Sequence, residues 1–201
     1  MGNGLLKAAP QTGFDYTGRM RLLAADLVER LPQLSHIRLS QVGVSFRQTR
    51  KAVKHGIQAT LTPLRFEEGR LTTVRRRRTW SIERLYGSDG QEILYLLNFY
   101  LPRFQNLSRR EKLVTILHEL WHIGPAFDGD LRRHPGRCYA HSHSQRAYDE
   151  AMELLADAWL RLNDGPQFDD LLNLNFRQLR ELHGGVYGTS IRTPKLFLVA
   201  M

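Results

Sequence analysis

Ser108-Arg109-Arg110-Glu111-Lys112-Leu113-Val114-Thr115-Ile116-Leu117-His118-Glu119-Leu120-Trp121-His122-Ile123-Gly124-Pro125 is the stretch around which the rest of this chain organises. Ser108 and Glu111 have the spacing of a capping box, in which each satisfies the other's backbone N–H at a helix start. Leu113, Ile116, Leu117 and Leu120 recur at i, i+3, i+4 and i+7, the apolar stripe of a helix that packs on a core. Gly124-Pro125 supplies the stop, with the glycine expected at the C-cap. The spacing predicts a helix over 108–123. Its last turns carry His118-Glu119-Leu120-Trp121-His122, an HExxH pattern. Histidines four apart stand one above the other on a helix, so both imidazoles can close on one metal ion. Glu119 lies about 100° further round, beside such a metal, where a general base for an activated water belongs. The plainer alternative is a pair of surface histidines and an ordinary glutamate on an amphipathic helix.

Outward from this helix, the pattern predicts an α+β domain. A first helix is expected from about Asp15 to Leu31, with Met20, Leu23, Ala24, Leu27, Val28 and Leu31 on one stripe and Pro32 ending it. Val42, Val44 and Phe46, then Ile57, Ala59 and Leu61, alternate with small or polar residues and read as strands. The basic stretch from Arg47 to His55 reads as a loop between them. Trp80 to Tyr86, a turn at Gly87-Ser88-Asp89-Gly90, and Ile93 to Leu101 read as a hairpin. Its second strand is apolar on both faces and should be central or covered. After the HExxH helix comes a long polar connection, Gly124 to His143, of the kind that tends to be functional. Another helix is expected from Ser144 to Leu162, a weaker one near Phe168 to Leu182, and a short apolar segment at Leu196 to Val199. No repeat, linker or low-complexity segment divides the chain, so residues 1–201 are read as one domain of mostly antiparallel sheet packed against helices.

Composition narrows the setting. With 201 residues, 42% of them hydrophobic, a core can form without staples. Cys138 is the only cysteine, which allows no disulfide within the chain and no cysteine-rich zinc ribbon. A reducing, cytoplasmic setting is the simplest expectation. Met1 to Pro10 lacks the apolar core of a signal peptide, and the longest apolar run, Ile93 to Leu97, is far too short to span a membrane. The formal net charge is +9, and part of the excess is Arg75-Arg76-Arg77-Arg78. Such a surface attracts nucleic acid or other acidic partners without sequence specificity, unless it is simply a solvated strand or loop. Trp80 and Tyr86 do not interleave with the arginines, so no stacking platform for single strands is expected.

A catalytic zinc site takes three protein ligands and leaves one position open. Beyond His118 and His122, the candidates for the third are His134, His141 and His143 in the connection, Asp128 six residues after His122, and Glu153 with Asp157 on the following helix. Asp128 would need a tight turn with glycine at position 125, where this chain has Pro125. Glu153 is offset from the apolar face of its helix and reads as solvated.

From Ser108 to Leu162 the chain resembles the HExxH zinc metallopeptidases, and among them the SprT-like group and the phage-type metallopeptidases. The resemblance rests on His118-Glu119-Leu120-Trp121-His122-Ile123, on Phe127-Asp128-Gly129-Asp130 and on Tyr139-Ala140-His141 leading into a helix. It implies a small zincin-like fold, Zn²⁺ as cofactor, Glu119 as general base, and His141 as third ligand, since a histidine precedes the next helix in the SprT-like group. Two departures stand out: no glycine follows His141, and the cysteine ribbon of some members is missing. The expected function is a zinc-dependent peptidase acting on protein or peptide, with Arg137, Tyr139 and Tyr148 as conceivable oxyanion partners. The alternatives are a metal-dependent hydrolase of nucleic acid, or a basic nucleic-acid-binding module with a structural metal.

Overall fold

The computed structural model describes residues 12–49, 56–133, 145–162 and 166–199. Strand β1 (Phe14–Asp15) leads directly into helix α1 (Tyr16–Arg30). Asp15 caps that helix, its carboxylate accepting the Gly18 N–H at 3.0 Å. Tyr16, Met20, Leu23, Ala24 and Leu27 form the buried stripe, and Pro32 opens a separate 3₁₀ turn beyond Leu31.

The central sheet consists of β2 (Val42–Gln48), β3 (Ala59–Pro63) and β8 (Tyr95–Leu101), in the order β2-β8-β3. Between β3 and β8 the chain forms β4 (Thr72–Arg75), β5 (Arg78–Ile82), β6 (Leu85–Tyr86) and β7 (Glu92–Ile93). Strand β8 is the middle strand, as its two apolar faces require. Tyr95, Leu97, Phe99 and Leu101 enter the main core. Leu96, on the opposite face, joins a smaller cluster with Leu64 and Ile93.

The expectation of a mostly antiparallel sheet needs correction at its centre. Strand β2 runs parallel to β8 over seven residue pairs, from Val42–Tyr95 to Gln48–Leu101, while β3 runs antiparallel to β8. The expected long hairpin is likewise only partly formed. Leu85–Tyr86 pairs with Glu92–Ile93 across the turn, but β5 leaves to pair with β4 and with β10 (Leu196–Leu198), and β8 pairs with β2 and β3. A strand buried on both faces gains more from two flanking strands than from the end of a hairpin.

Helix α2 (Arg109–Trp121) packs against β3 of the sheet, and α3 (Gln145–Leu162) packs against α2 and α1. The expected tail helix is two pieces, α4 (Asp169–Asn173) and α5 (Phe176–His183). The break lies at Asn175, which caps α5 in a capping box with Gln178. Lys112 of α2, buried in the core, donates to the carbonyls of Leu171, Leu172 and Leu174 and ties α4 to the HExxH helix. A short β9 (Val186–Tyr187) pairs with β1 before the chain crosses to β10. Among the described residues, no helix is long and apolar enough to cross a membrane.

Candidate metal centre

Helix α2 places the motif by local chemistry. Ser108 and Glu111 make both capping-box bonds, and Leu113, Ile116, Leu117 and Leu120 are fully buried. That orientation leaves His118 and His122 half-buried, one turn apart, with ring centroids 4.8 Å from each other and planes at 83°. Two imidazoles so placed, with a carboxylate beside them, match the nitrogen donors that zinc takes.

The helix ends earlier than expected. His122 is its C-cap, in right-handed helical geometry, so Gly124 is not the cap. Instead the loop folds back through an Ile123–Leu131 bridge, and Phe127 takes a positive φ of 49°. Tyr95 of β8 anchors this loop, donating its hydroxyl to the Asp130 carbonyl and accepting from the Gly129 N–H, at 2.9 and 3.0 Å. The Phe127-Asp128-Gly129-Asp130 stretch thus holds the end of α2 against the sheet.

Glu119 points the other way from the solvent and is only 9% exposed. Burial pushes its carboxyl up to about 7, and the nearby Leu61 backbone N–H works against that rise. Leu61 lies on β3, which has a neighbour only on its β8 side among the described residues. The bonds Tyr100 N–H to Gln58 and Leu64 N–H to Leu94, at 2.8 and 2.9 Å, set the phase of this ladder. Even-numbered residues of β3 turn their backbone groups to β8, and Ala59, Leu61 and Pro63 turn theirs to the outer edge. The glutamate of the motif therefore lies at the outer edge of the central sheet.

Helix α3 runs antiparallel to α2. Arg110 meets Asp157 and Glu153 at one end, and the Tyr148 hydroxyl donates to the His118 carbonyl at 3.2 Å at the other. The Tyr148 ring lies 4.8 Å from His118 and 6.1 Å from His122. Its hydroxyl is pushed well above the usual range by burial, and by the Glu119 charge in second place. The N-terminal end of α3 is thereby brought to the histidine end of α2.

Arg132 follows the loop. Its N–H donates to the His122 carbonyl at 2.7 Å and its Nε to the Trp121 carbonyl at 2.8 Å. The guanidinium sits 4.3 Å from the centroid of the Trp121 ring. His36 reaches the neighbouring Ile123 carbonyl at 3.3 Å, and its pKa lies below the usual value, held there first by burial and then by the Arg132 charge.

His118, Glu119 and His122 are thus adjacent and joined by Tyr148 and Arg132. Of the proposed third ligands, Glu153 and Asp157 are engaged by Arg110 at the far end of the helix pair, and Asp128 accepts the Asp130 N–H at 3.0 Å. His134, His141 and His143, together with Arg137, Cys138 and Tyr139, lie outside the described residues. Among the described residues, no group of three or more His, Cys, Asp or Glu is placed so that all could hold one metal ion. Leu61 and Arg132 carry no local sequence signal: one acts through its backbone, and the other is brought in by a loop.

The Arg75–Arg78 run is neither a plain strand nor an open loop. Arg75 and Arg78 face each other across β4 and β5, and Arg76 and Arg77 form a two-residue turn with φ of 52° and 59°. All four are exposed.

Compared with protein-family models, with curated proteins and with solved structures, the chain matches none.

Proposed function

We propose that this chain is a zinc-dependent peptidase of zincin-like build. The observation that carries the reading is the Glu119 carboxyl, buried beside the His118–His122 pair and near the Leu61 N–H at the outer edge of β3. His118 and His122 would hold the metal, with His141 as the third ligand. Bound there, zinc would acidify a water molecule and polarise the scissile carbonyl.

The protein groups then divide the remaining work. Glu119 accepts a proton and later delivers it to the leaving amine, a double role suited by a carboxyl near neutrality. The outward N–H groups of Ala59 and Leu61, and the carbonyls of Ala59, Leu61 and Pro63, offer an extended peptide a strand to pair with. Pro63 has no N–H and limits how far an added strand can be held. The single cysteine supports a reducing, cytoplasmic setting.

A casein or quenched-peptide assay on purified protein, with metal content measured in parallel, tests the proposal. Glu119→Gln should retain about one zinc per chain and lose hydrolysis by roughly a thousandfold or more. Cleavage by Glu119→Gln at the parental rate would refute it. A second reading, a nucleic-acid-binding role, is favoured by the net charge of +9 and by the four exposed arginines at the β4–β5 turn.

A further inference from the structure

Arg132 stands out among the arginines around the motif. A guanidinium carries five N–H donors. Arg132 uses one of them, Nε, on the Trp121 carbonyl, and its terminal nitrogens meet no acceptor among the described residues. Nor does any carboxylate pair with it there, although it is half-buried over an indole ring. Its sequence neighbour shows what a structural arginine does in the same segment. Arg133 pairs with Asp130 at 2.9 Å and with Glu67 at 3.4 Å. Arg65, also buried, is closed by Glu92, and Arg110 by Asp157 and Glu153.

Capping the end of α2 accounts for the Arg132 backbone N–H and Nε, and for nothing beyond them. A half-buried cation without an anion is costly, because desolvation is not repaid by a partner. Among the described residues, the groups that feel the Arg132 charge from other elements are His36 and Tyr148, and neither is an anion at neutral pH. The tether to the carbonyls of Trp121 and His122 also fixes the guanidinium at the histidine end of α2, on a stacked, pre-ordered plane. A planar fork held in this way recognises a carboxylate with two parallel hydrogen bonds.

We propose that Arg132 is the substrate-recognising residue of this centre, and that it selects peptides carrying a carboxylate close to the scissile bond. The carboxylate is either an acidic side chain or the free C-terminus of a short peptide. The inference rests on the peptidase reading for the identity of the ligand as a peptide, and its test needs no catalysis.

The experiment is equilibrium binding to zinc-loaded Glu119→Gln protein, followed by calorimetry and by Trp fluorescence. The probes are N-acetylated pentapeptides that differ only as Glu or Gln at one position, each with a free or an amidated C-terminus. The expected result is about tenfold tighter binding of the carboxylate-bearing member in one of the two comparisons, and which comparison shows it identifies the source. Adding Arg132→Gln should reduce that preference to within about twofold, while Arg132→Lys should keep part of it. Should Arg132→Gln not fold, the Lys variant and the peptide pairs on the parent still decide the matter. Equal affinity for acid and amide peptides would overturn the proposal, and so would a preference that survives Arg132→Gln. Parental protein that hydrolyses peptides without any acid preference would keep the peptidase reading and sink this one. Carboxylate selection without hydrolysis would do the reverse.

Discussion

Replacing Glu119 by Gln in the metal-free protein should stabilise it, and by an amount that depends on pH. The carboxyl is raised from the usual 4.5 to about 7, mainly because burial disfavours its charged form. Below pH 4.5 both folded and unfolded chains hold the proton, so the residue costs nothing. Between 4.5 and 7 the unfolded chain ionises first and the native state binds more protons, so stability falls as pH rises. Above 7 the native state carries the full cost of a desolvated carboxylate. A gap of about 2.5 pH units at about 1.4 kcal/mol each sets an upper bound of about 3.5 kcal/mol. Partial hydration of a side chain that is 9% exposed brings the expected figure to about 2–3 kcal/mol. Gln does not titrate, and its amide oxygen can still face the Leu61 N–H. Urea unfolding of both proteins in chelator at about pH 4, 5.5, 7 and 8.5 measures the difference. The Gln variant should match the parent at about pH 4 and exceed it by about 2–3 kcal/mol at about pH 8.5. A difference that is the same at every pH would refute the desolvation argument, and with it the claim that Glu119 is tuned towards neutrality.

Two further outcomes follow from the same packing. Lys112→Met should cost about 2–4 kcal/mol in urea unfolding at about pH 7, because three carbonyls lose a charged donor, while zinc uptake at the far end of α2 stays unchanged. Burial holds the Lys112 ammonium at about 8, below the usual 10.5, so the unfolded chain keeps its proton longer; the parent should gain on the Met variant as pH rises through that interval. Arg76→Asn with Arg77→Gly should raise stability by about 1 kcal/mol, since both positions sit at positive φ, and should weaken DNA binding with a shallower salt slope. Unchanged retention of DNA at every salt concentration would remove the arginine turn as an anion-binding feature.

The helices and the motif were legible because their causes are local. A capping box spans four residues, and the 3.6-residue period alone sets His118 over His122 with Glu119 to one side. The same reasoning could have divided the tail, since Asn175 and Gln178 carry capping-box spacing, but the weak apolar pattern there hid it. Strand pairing was less legible. The alternation in Val42–Phe46 and Ala59–Leu61 marks strands without naming partners, and β8 finds its partners far upstream, at Val42–Gln48 and in β3. The choice between a hairpin and a central mixed strand is made by how both faces of Tyr95–Leu101 are covered, which is a property of the whole core.

What the amino-acid sequence determined by itself is therefore the motif and its setting: two histidines and a glutamate on a well-capped helix, in an α+β chain. Tertiary structure alone decided what those residues meet. It put the Leu61 N–H of an edge strand near Glu119, folded the loop after His122 so that Arg132 stands over Trp121, and set Tyr148 against both imidazoles. The physical reason is the range of the interactions. Helix geometry and capping act within a turn, whereas burial of a carboxyl and the placing of a strand edge depend on surfaces that meet only when distant segments pack.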